Sequence, residues 1–415
     1  MAQKSTVRSL SLAALLLAAA SPAFTDVFVQ CPGDINGDAM LEIAMPGVIC
    51  QHLAASDGFV TMADGRELYI FGFTDVTGVP ADQVILASLN AANLPGPPIM
   101  VEEGDQLYLS LTNVGFLQRP DLPDAATLQW GGFPVAAPIF NGEPESSVAI
   151  IMGSTLTYFY QANEPGTFTY RGLSEPAMHV QMGELGTIIV HARQSWEGCA
   201  YPTFCEVGNL GLGDRECGTL DDVPTAPCGY AYDDSDGSTR YDLEFPVQMS
   251  SFDAEFHDSL QAVQPAPYDS MQDDYAMLNG RGYPDTIGPQ DLPPPAGNGG
   301  IVSQRQPTLI EATAGQRVLL RIANLSTTRA MTLASLGLPM RVVGRDARLL
   351  RGPTGLDLSY TTGAITLGSG QTADAILDTA GVAPGRYVIY DTRLNHLSND
   401  QEDYGGMMTE LIVNP

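Results

Sequence analysis

Along most of the chain, apolar and polar residues alternate with a period of two. Leu107, Leu109 and Leu111 alternate with Tyr108, Ser110 and Thr112, the spacing that turns one face of a β-strand into a core. Gly104-Asp105, Asn141-Gly142 and Pro165-Gly166 interrupt such runs, and steps of this kind end strands in turns. No window holds a long helical period between caps. Even Met178, His179, Gln181 and Met182 read as a strand or its lead-in, with the methionines in the core. Many short strands with regular turns predict an all-β sandwich architecture.

The pattern repeats. Val101 to Asn113 matches Ala312 to Asn324, with Gly104 and Gly315 separated by 211 residues. Met152-Gly-Ser matches Leu367-Gly-Ser at an offset of 215, and Gly166 matches Gly385 at 219. Gly186 to Val190 matches Thr409 to Val413. The order is kept while the offset drifts, as loop insertions would cause. Two β-sandwich domains are therefore expected, at 54–195 and 270–415. A segment at 24–53 precedes them, and a Cys- and Asp-rich connector at 196–269 joins them. Pro293 to Gly300 reads as a flexible insertion.

Charge narrows the function classes. The chain has 19 Lys+Arg against 48 Asp+Glu, a net charge of −29. Its one lysine is Lys4, so removal of Lys4 and Arg8 with a leader leaves −31. No basic footprint exists to neutralise phosphates, so no nucleic-acid partner is expected. Docking on anionic lipid is equally disfavoured. Lys4 and Arg8 precede a mostly apolar run from Leu10 to Ala20, and Ser21-Pro22-Ala23 offers a cleavage site. Residues 1–23 thus read as a secretory signal, and the protein is expected to be secreted, periplasmic or extracellular, without membrane insertion.

An even cysteine count in an exported chain implies disulfides. Cys31 and Cys50 form the natural first bridge. Cys199, Cys205, Cys217 and Cys228 allow three pairings, and a zinc site is disfavoured because no Cys-x2-Cys spacing occurs.

The ordered motifs resemble those of the multicopper oxidases and their two-domain relatives, including copper nitrite reductases. The motifs are Leu128-Gln-Trp-Gly-Gly-Phe-Pro134, Asn141-Gly-Glu-Pro144, Glu164-Pro-Gly-Thr-Phe-Thr-Tyr170 and Met178-His-Val-Gln-Met-Gly183. Leu278-Asn-Gly-Arg-Gly-Tyr-Pro284 and Gly405-Gly-Met-Met-Thr409 continue the match in the second half. The resemblance implies two cupredoxin-like Greek-key β-sandwich domains joined by the disulfide-rich connector.

It does not by itself imply copper chemistry, because function sits in the site. A type 1 copper needs a thiolate and two imidazoles, often with an axial thioether. Where the family has His-Trp-His-Gly, this chain has Gln129-Trp130-Gly131-Gly132. Where the family has Tyr-His-Cys-His, it has Tyr170-Arg171-Gly172-Leu173. The type 1 histidine is kept as His179, but Glu184 stands at the methionine position. The former copper-ligand positions are therefore Gln129, Gly131, Arg171, Gly172, His179 and Glu184. In the second half, Tyr390-Asp391-Thr392 repeats Tyr170-Arg171-Gly172 without a ligand. The five histidines, His52, His179, His191, His257 and His396, form no His-x-His pair. No catalytic residue is assigned, and copper is not expected at the family site.

Other ion sites follow from residue type. His179 with Glu175 and Glu184 would suit Zn(II), Mn(II) or Fe(II); the alternative is a packed histidine with solvated glutamates. Asp34, Asn36 and Asp38 copy the first ligands of a calcium loop. Ala39 and Met45 stand where the full pattern needs Gly and Glu, and Glu42 is a further candidate ligand. Asp233 to Gly237 is a second acidic turn. His257, with Asp253, Glu255 and Asp258 beside it, is expected to serve hydrogen bonding between the domains.

The expected protein is thus an exported multicopper-oxidase-like chain that has lost its copper ligands and acts as a structural or binding module. The alternative is a metal-dependent oxidoreductase using an altered site at His179. Its expected partners are further copies of itself or a copper-bearing paralogue.

Overall fold

A computed structural model of the protein describes residues 27–122, 124–133, 140–141, 146–195, 229–288 and 291–415. The proposed signal at 1–23 and Cys199, Cys205, Cys217 and Cys228 lie outside the described residues.

The first sandwich is built from β1 (Val48–Thr61), β2 (Glu67–Asp75), β3 (Ile99–Glu102), β4 (Gln106–Gly115), β5 (Gln129–Gly131), β6 (Thr155–Gln161), β7 (Gly166–Arg171) and β8 (Leu185–His191). One sheet runs β2-β1-β4-β6 and the other β3-β8-β7-β5. Leu107, Leu109 and Leu111 are fully buried between them, packed with Trp130, Tyr160, Phe168 and Ile188. The outer face of β4 is polar but covered. Ser110 and Thr112 bond to Thr157 and Thr155 at 2.7 Å, and Gln30 N donates to the same Thr157 hydroxyl. The N-terminal layer that carries Cys31 lies over this face, tied to β1 by the Cys31–Cys50 disulfide. Cys50 is thus a β1 residue, and the first sandwich begins at Val48 rather than 54. A one-turn helix, α1 (Val84–Ala87), follows β2.

The second sandwich repeats the plan. A small hairpin, β9 (Gly229–Tyr230) and β10 (Arg240–Tyr241), leads into it. Its strands are β11 (Leu243–Phe252), β12 (Tyr275–Leu278), β13 (Ile310–Thr313), β14 (Arg317–Asn324), β15 (Met331–Ser335), β16 (Met340–Arg345), β17 (Arg348–Leu349), β18 (Tyr360–Thr362), β19 (Ala364–Leu367), β20 (Thr372–Asp378), β21 (Gly385–Asp391) and β22 (Met408–Asn414). One sheet runs β12-β11-β14-β20-β16-β17, with β18 on β16; the other runs β13-β22-β21-β15-β19.

The matched sequence segments occupy equivalent strands. β1 pairs parallel with β4, as β11 does with β14. β3 pairs parallel with β8, as β13 does with β22. Gly104 and Gly315 both take a left-handed turn, at φ 102° and 97°, which a residue without Cβ adopts at no steric cost. β11 falls inside the range expected as connector, so the second sandwich starts near 243 rather than 270. Its period-two signal is obscured because Val247 to Phe252 are buried without interruption.

Two further helices pack between the sandwiches. α2 (Pro176–Met182) has Pro at its start and Gly183 at φ 118° as its C-cap, the usual asymmetry of a short helix. This corrects the strand expected around His179. Met178 to Met182 are all buried, so no polar face marks the helical period. α3 (Ala254–Gln261) is capped by Asp253, whose carboxylate accepts from Phe256 N at 2.9 Å. His257 on α3 reaches Tyr69 O at 2.6 Å and Gln181 O at 3.1 Å, which links the second sandwich to the first as its sequence context suggested. Among the described residues no helix is long and apolar enough to cross a membrane.

Candidate functional site

The positions singled out from the sequence gather at one end of the first sandwich. Gln129 and Arg171 are cross-strand partners on β5 and β7, and Arg171 Nε donates to Gln129 Oε1 at 3.2 Å. Arg171 extends toward the second sandwich, where its guanidinium lies 3.4 Å from the point a Cβ on Gly370 would occupy. Gly131 faces Thr169: a Cβ there would meet the Thr169 hydroxyl at 2.6 Å.

Gly172 follows β7, and its N–H donates to Glu184 O at 3.1 Å. A Cβ on Gly172 would lie 2.0 Å from Glu184 Oε2. The Glu184 carboxylate therefore fills the space where a side chain at 172 would begin. His179, on α2, is 1% exposed, as is Glu184. Its Nδ1 is 3.0 Å from Glu184 Oε2 and its Nε2 is 3.5 Å from Asp124 Oδ2. Neither contact is aligned as a hydrogen bond. Burial pulls the imidazole down, but the Glu184 and Asp124 carboxylates outweigh it and push His179 up to about 10. The ring thus favours its protonated form between the two carboxyl groups, against Phe71 at 5.6 Å between centroids. Glu175 does not join the group. It is exposed and caps α2 with φ 44°. Asp124, which no motif flagged, takes its place.

The second sandwich holds a counterpart. The last register pair of β7 and β8 is Arg171 with Leu185, and that of β21 and β22 is Tyr390 with Met408. One step further, Asp391 N donates to Met407 O at 3.0 Å, as Gly172 N does to Glu184 O. Asp391 is thus equivalent to Gly172, and Met407 to Glu184. This moves the sequence match by one residue and puts a carboxylate, not Thr392, at the equivalent point. His396 Nδ1 bonds to Asp391 Oδ2 at 2.7 Å, and its Nε2 is 3.7 Å from Asp273 Oδ2. Arg329 Nε lies 3.0 Å from the same Asp273 oxygen. All three of Asp273, Asp391 and His396 have side chains at most 2% exposed.

A third charged cluster joins the sandwiches. His191 Nε2 on β8 meets Glu244 Oε2 at 2.8 Å. Glu244 Oε1 accepts from Arg321 Nε at 2.6 Å, and Arg321 Nη1 is 3.4 Å from Asp374 Oδ1. Asp374 also accepts from Thr167 of β7 and from Tyr232. Burial pushes the Glu244 carboxyl up, but Arg321 and His191 outweigh it and hold it at about 2. Sequence pattern could not reveal this group, because its members are scattered from 167 to 374.

The acidic turns differ. Asp34, Asp38 and Glu42 bring ligand oxygens within 4.8 Å of one another. Asn36 instead turns to Asp38, donating from Nδ2 at 3.0 Å. In the second turn, Asp234 accepts from Gly237 N and from Gln194 Nε2, and Asp236 pairs with Arg351 at 2.8 Å. That turn is satisfied by protein groups. His52 is buried against the Thr112 hydroxyl at 2.7 Å, and burial pulls it down to about 4.

The comparisons with known proteins agree with this architecture. Two family models described as multicopper oxidase match residues 76–195 and 254–411. Among solved structures, a blue copper oxidase from Nitrosomonas europaea aligns with a TM-score of 0.58 at 18% identity, covering 87% of this chain and 85% of its own. The multicopper oxidase mgLAC gives the same values. A copper nitrite reductase from Nitrosomonas europaea aligns with a TM-score of 0.54 at 16% identity, covering 88% and 93%. No curated protein matches the chain.

Proposed function

The chain belongs to the multicopper oxidase family, and from that premise we propose that it is an exported, non-catalytic member whose copper positions have passed to charge pairs. It then serves as a structural or binding module. The observation that carries this reading is the Glu184 carboxylate, 2.0 Å from where a side chain on Gly172 would begin. A type 1 copper needs a thiolate and two imidazoles there, and the group offers one imidazole, His179, already flanked by Glu184 and Asp124. Gln129, Gly131 and Arg171 supply no imidazole for further coppers. The donor set does not fit copper. Elemental analysis after copper reconstitution, with the visible thiolate–copper absorption, tests the reading. One tightly bound copper per chain with blue colour would sink it.

One observation favours a second reading. His179 Nε2 and Asp124 Oδ2 are buried, 3.5 Å apart and without a hydrogen bond, a separation that a borderline divalent ion could bridge. An altered-metal oxidoreductase would then lose metal and activity in His179→Ala and Asp124→Ala; unchanged metal content would remove it. The convergence of Asp34, Asp38 and Glu42 supports a calcium-binding turn, tested by calcium titration of the wild type against Asp34→Asn. Native mass measurement tests the proposed assembly, as a homo-oligomer or with a copper-bearing paralogue.

A further inference from the structure

We infer that the two sandwiches hold one and the same histidine–carboxylate lock at an equivalent point, with the carboxylate delivered from opposite strands. In the first sandwich it comes from Glu184, ahead of β8, and position 172 is glycine. In the second it comes from Asp391, the end of β21, and position 407 is methionine. Each sandwich thus carries one acid across the same backbone bond, Gly172 N to Glu184 O or Asp391 N to Met407 O. Both acids face the Nδ1 of a buried histidine, at 3.0 Å and 2.7 Å. In both, a second aspartate faces Nε2, Asp124 at 3.5 Å and Asp273 at 3.7 Å.

The exchange has a steric reason. The space between positions 172 and 184, on the Nδ1 side of the histidine, admits one side chain of this size. With Glu184 in place, a Cβ at 172 meets its Oε2 at 2.0 Å and its Cβ at 3.3 Å. An acid at 172 therefore requires a side chain at 184 that can withdraw, and methionine, unbranched and flexible, is suited to that. The lock ties the loop between the last two strands to the sandwich end, a cross-link that needs no ion. This extends the proposed loss of copper to the second sandwich and rests on that reading for the meaning of the positions, though not for the lock itself.

The test is an exchange of carriers. Gly172→Asp, Glu184→Met and their double variant are melted beside the wild type. The reciprocal set is Asp391→Gly, Met407→Glu and their double variant. Asp391→Gly opens space, so this set is expected to fold even if Gly172→Asp does not. Neighbouring residues couple, so each double variant is expected to melt at least about 5 °C above its lower single. A double variant that folds where a single does not has the same meaning. If the reciprocal double melts no higher than its lower single, the lock is overturned. Tight copper in the wild type would overturn the function proposed above and leave the exchange standing.

Discussion

Replacing Arg321 by methionine tests the charged cluster that joins the sandwiches. Arg321 has no exposed side-chain surface, and its partners Glu244 and Asp374 are equally buried. Glu244 is held at about 2 against an ordinary 4.5, and each unit corresponds to about 1.4 kcal/mol. The surroundings therefore favour its charged form by roughly 3 kcal/mol. Removing the cation leaves two buried carboxylates facing one another's field. Breaking such a pair costs about 3–5 kcal/mol. Glu244, Arg321 and Asp374 all belong to the second sandwich, roughly 170 residues with an unfolding entropy of about 2.1 cal/mol/K each. A loss of about 4 kcal/mol then lowers its melting midpoint by about 11 °C if it unfolds as a unit.

The pH dependence fixes the sign. A carboxyl depressed in the folded state contributes stability above its unfolded pKa, and loses it as pH falls through the folded value. The gap between wild type and Arg321→Met should be full at pH 7 and shrink between about 4.5 and about 2. Calorimetry at pH 7 and pH 3 measures both numbers. A midpoint shift below about 3 °C at pH 7, or one that does not shrink in acid, would refute the reasoning.

Other outcomes follow from single groups. His179 is raised to about 10, so its contribution is complete below about 6.5 and lost as pH climbs toward 10; His179→Gln should flatten that alkaline loss in a melt-versus-pH series. Asp253→Ala removes the α3 cap to Phe256 N and should cost about 1 kcal/mol in chemical denaturation. Reducing Cys31–Cys50, which are 19 residues apart, should cost about 3 kcal/mol. That loss should appear as faster hydrogen exchange in the covered threonines of β4 and β6.

Much of the fold was legible in the chain. The alternation at Leu107, Leu109 and Leu111 marked β4, and the Gly104 and Gly315 turns marked the repeat, because a half-buried strand and a left-handed turn each leave a local signature. Elements buried on every side left none. Pattern alone reads α2 as strand and β11 as connector, since uninterrupted burial erases both periods. The site was legible in part. Gly172, His179 and Glu184 stand in the matched motifs, and Asp391 stands in the repeat one residue from the place that strand register gives it, whereas Asp124 and Asp273 carry no motif.

By itself the sequence determined which residue types stand at the positions that the family resemblance assigns to copper, because a glycine cannot become a thiolate in any fold. It also determined that the two halves share a plan, because strand period and turn residues are properties of neighbours along the chain. Only the tertiary structure decided which groups meet around those positions. The Glu184 carboxylate reaches the place of a side chain 12 positions earlier in sequence, while in the second sandwich Asp391, on the opposite strand, carries its own carboxylate to the histidine. Register between strands sets such distances, and a one-residue shift changes which residue faces the histidine.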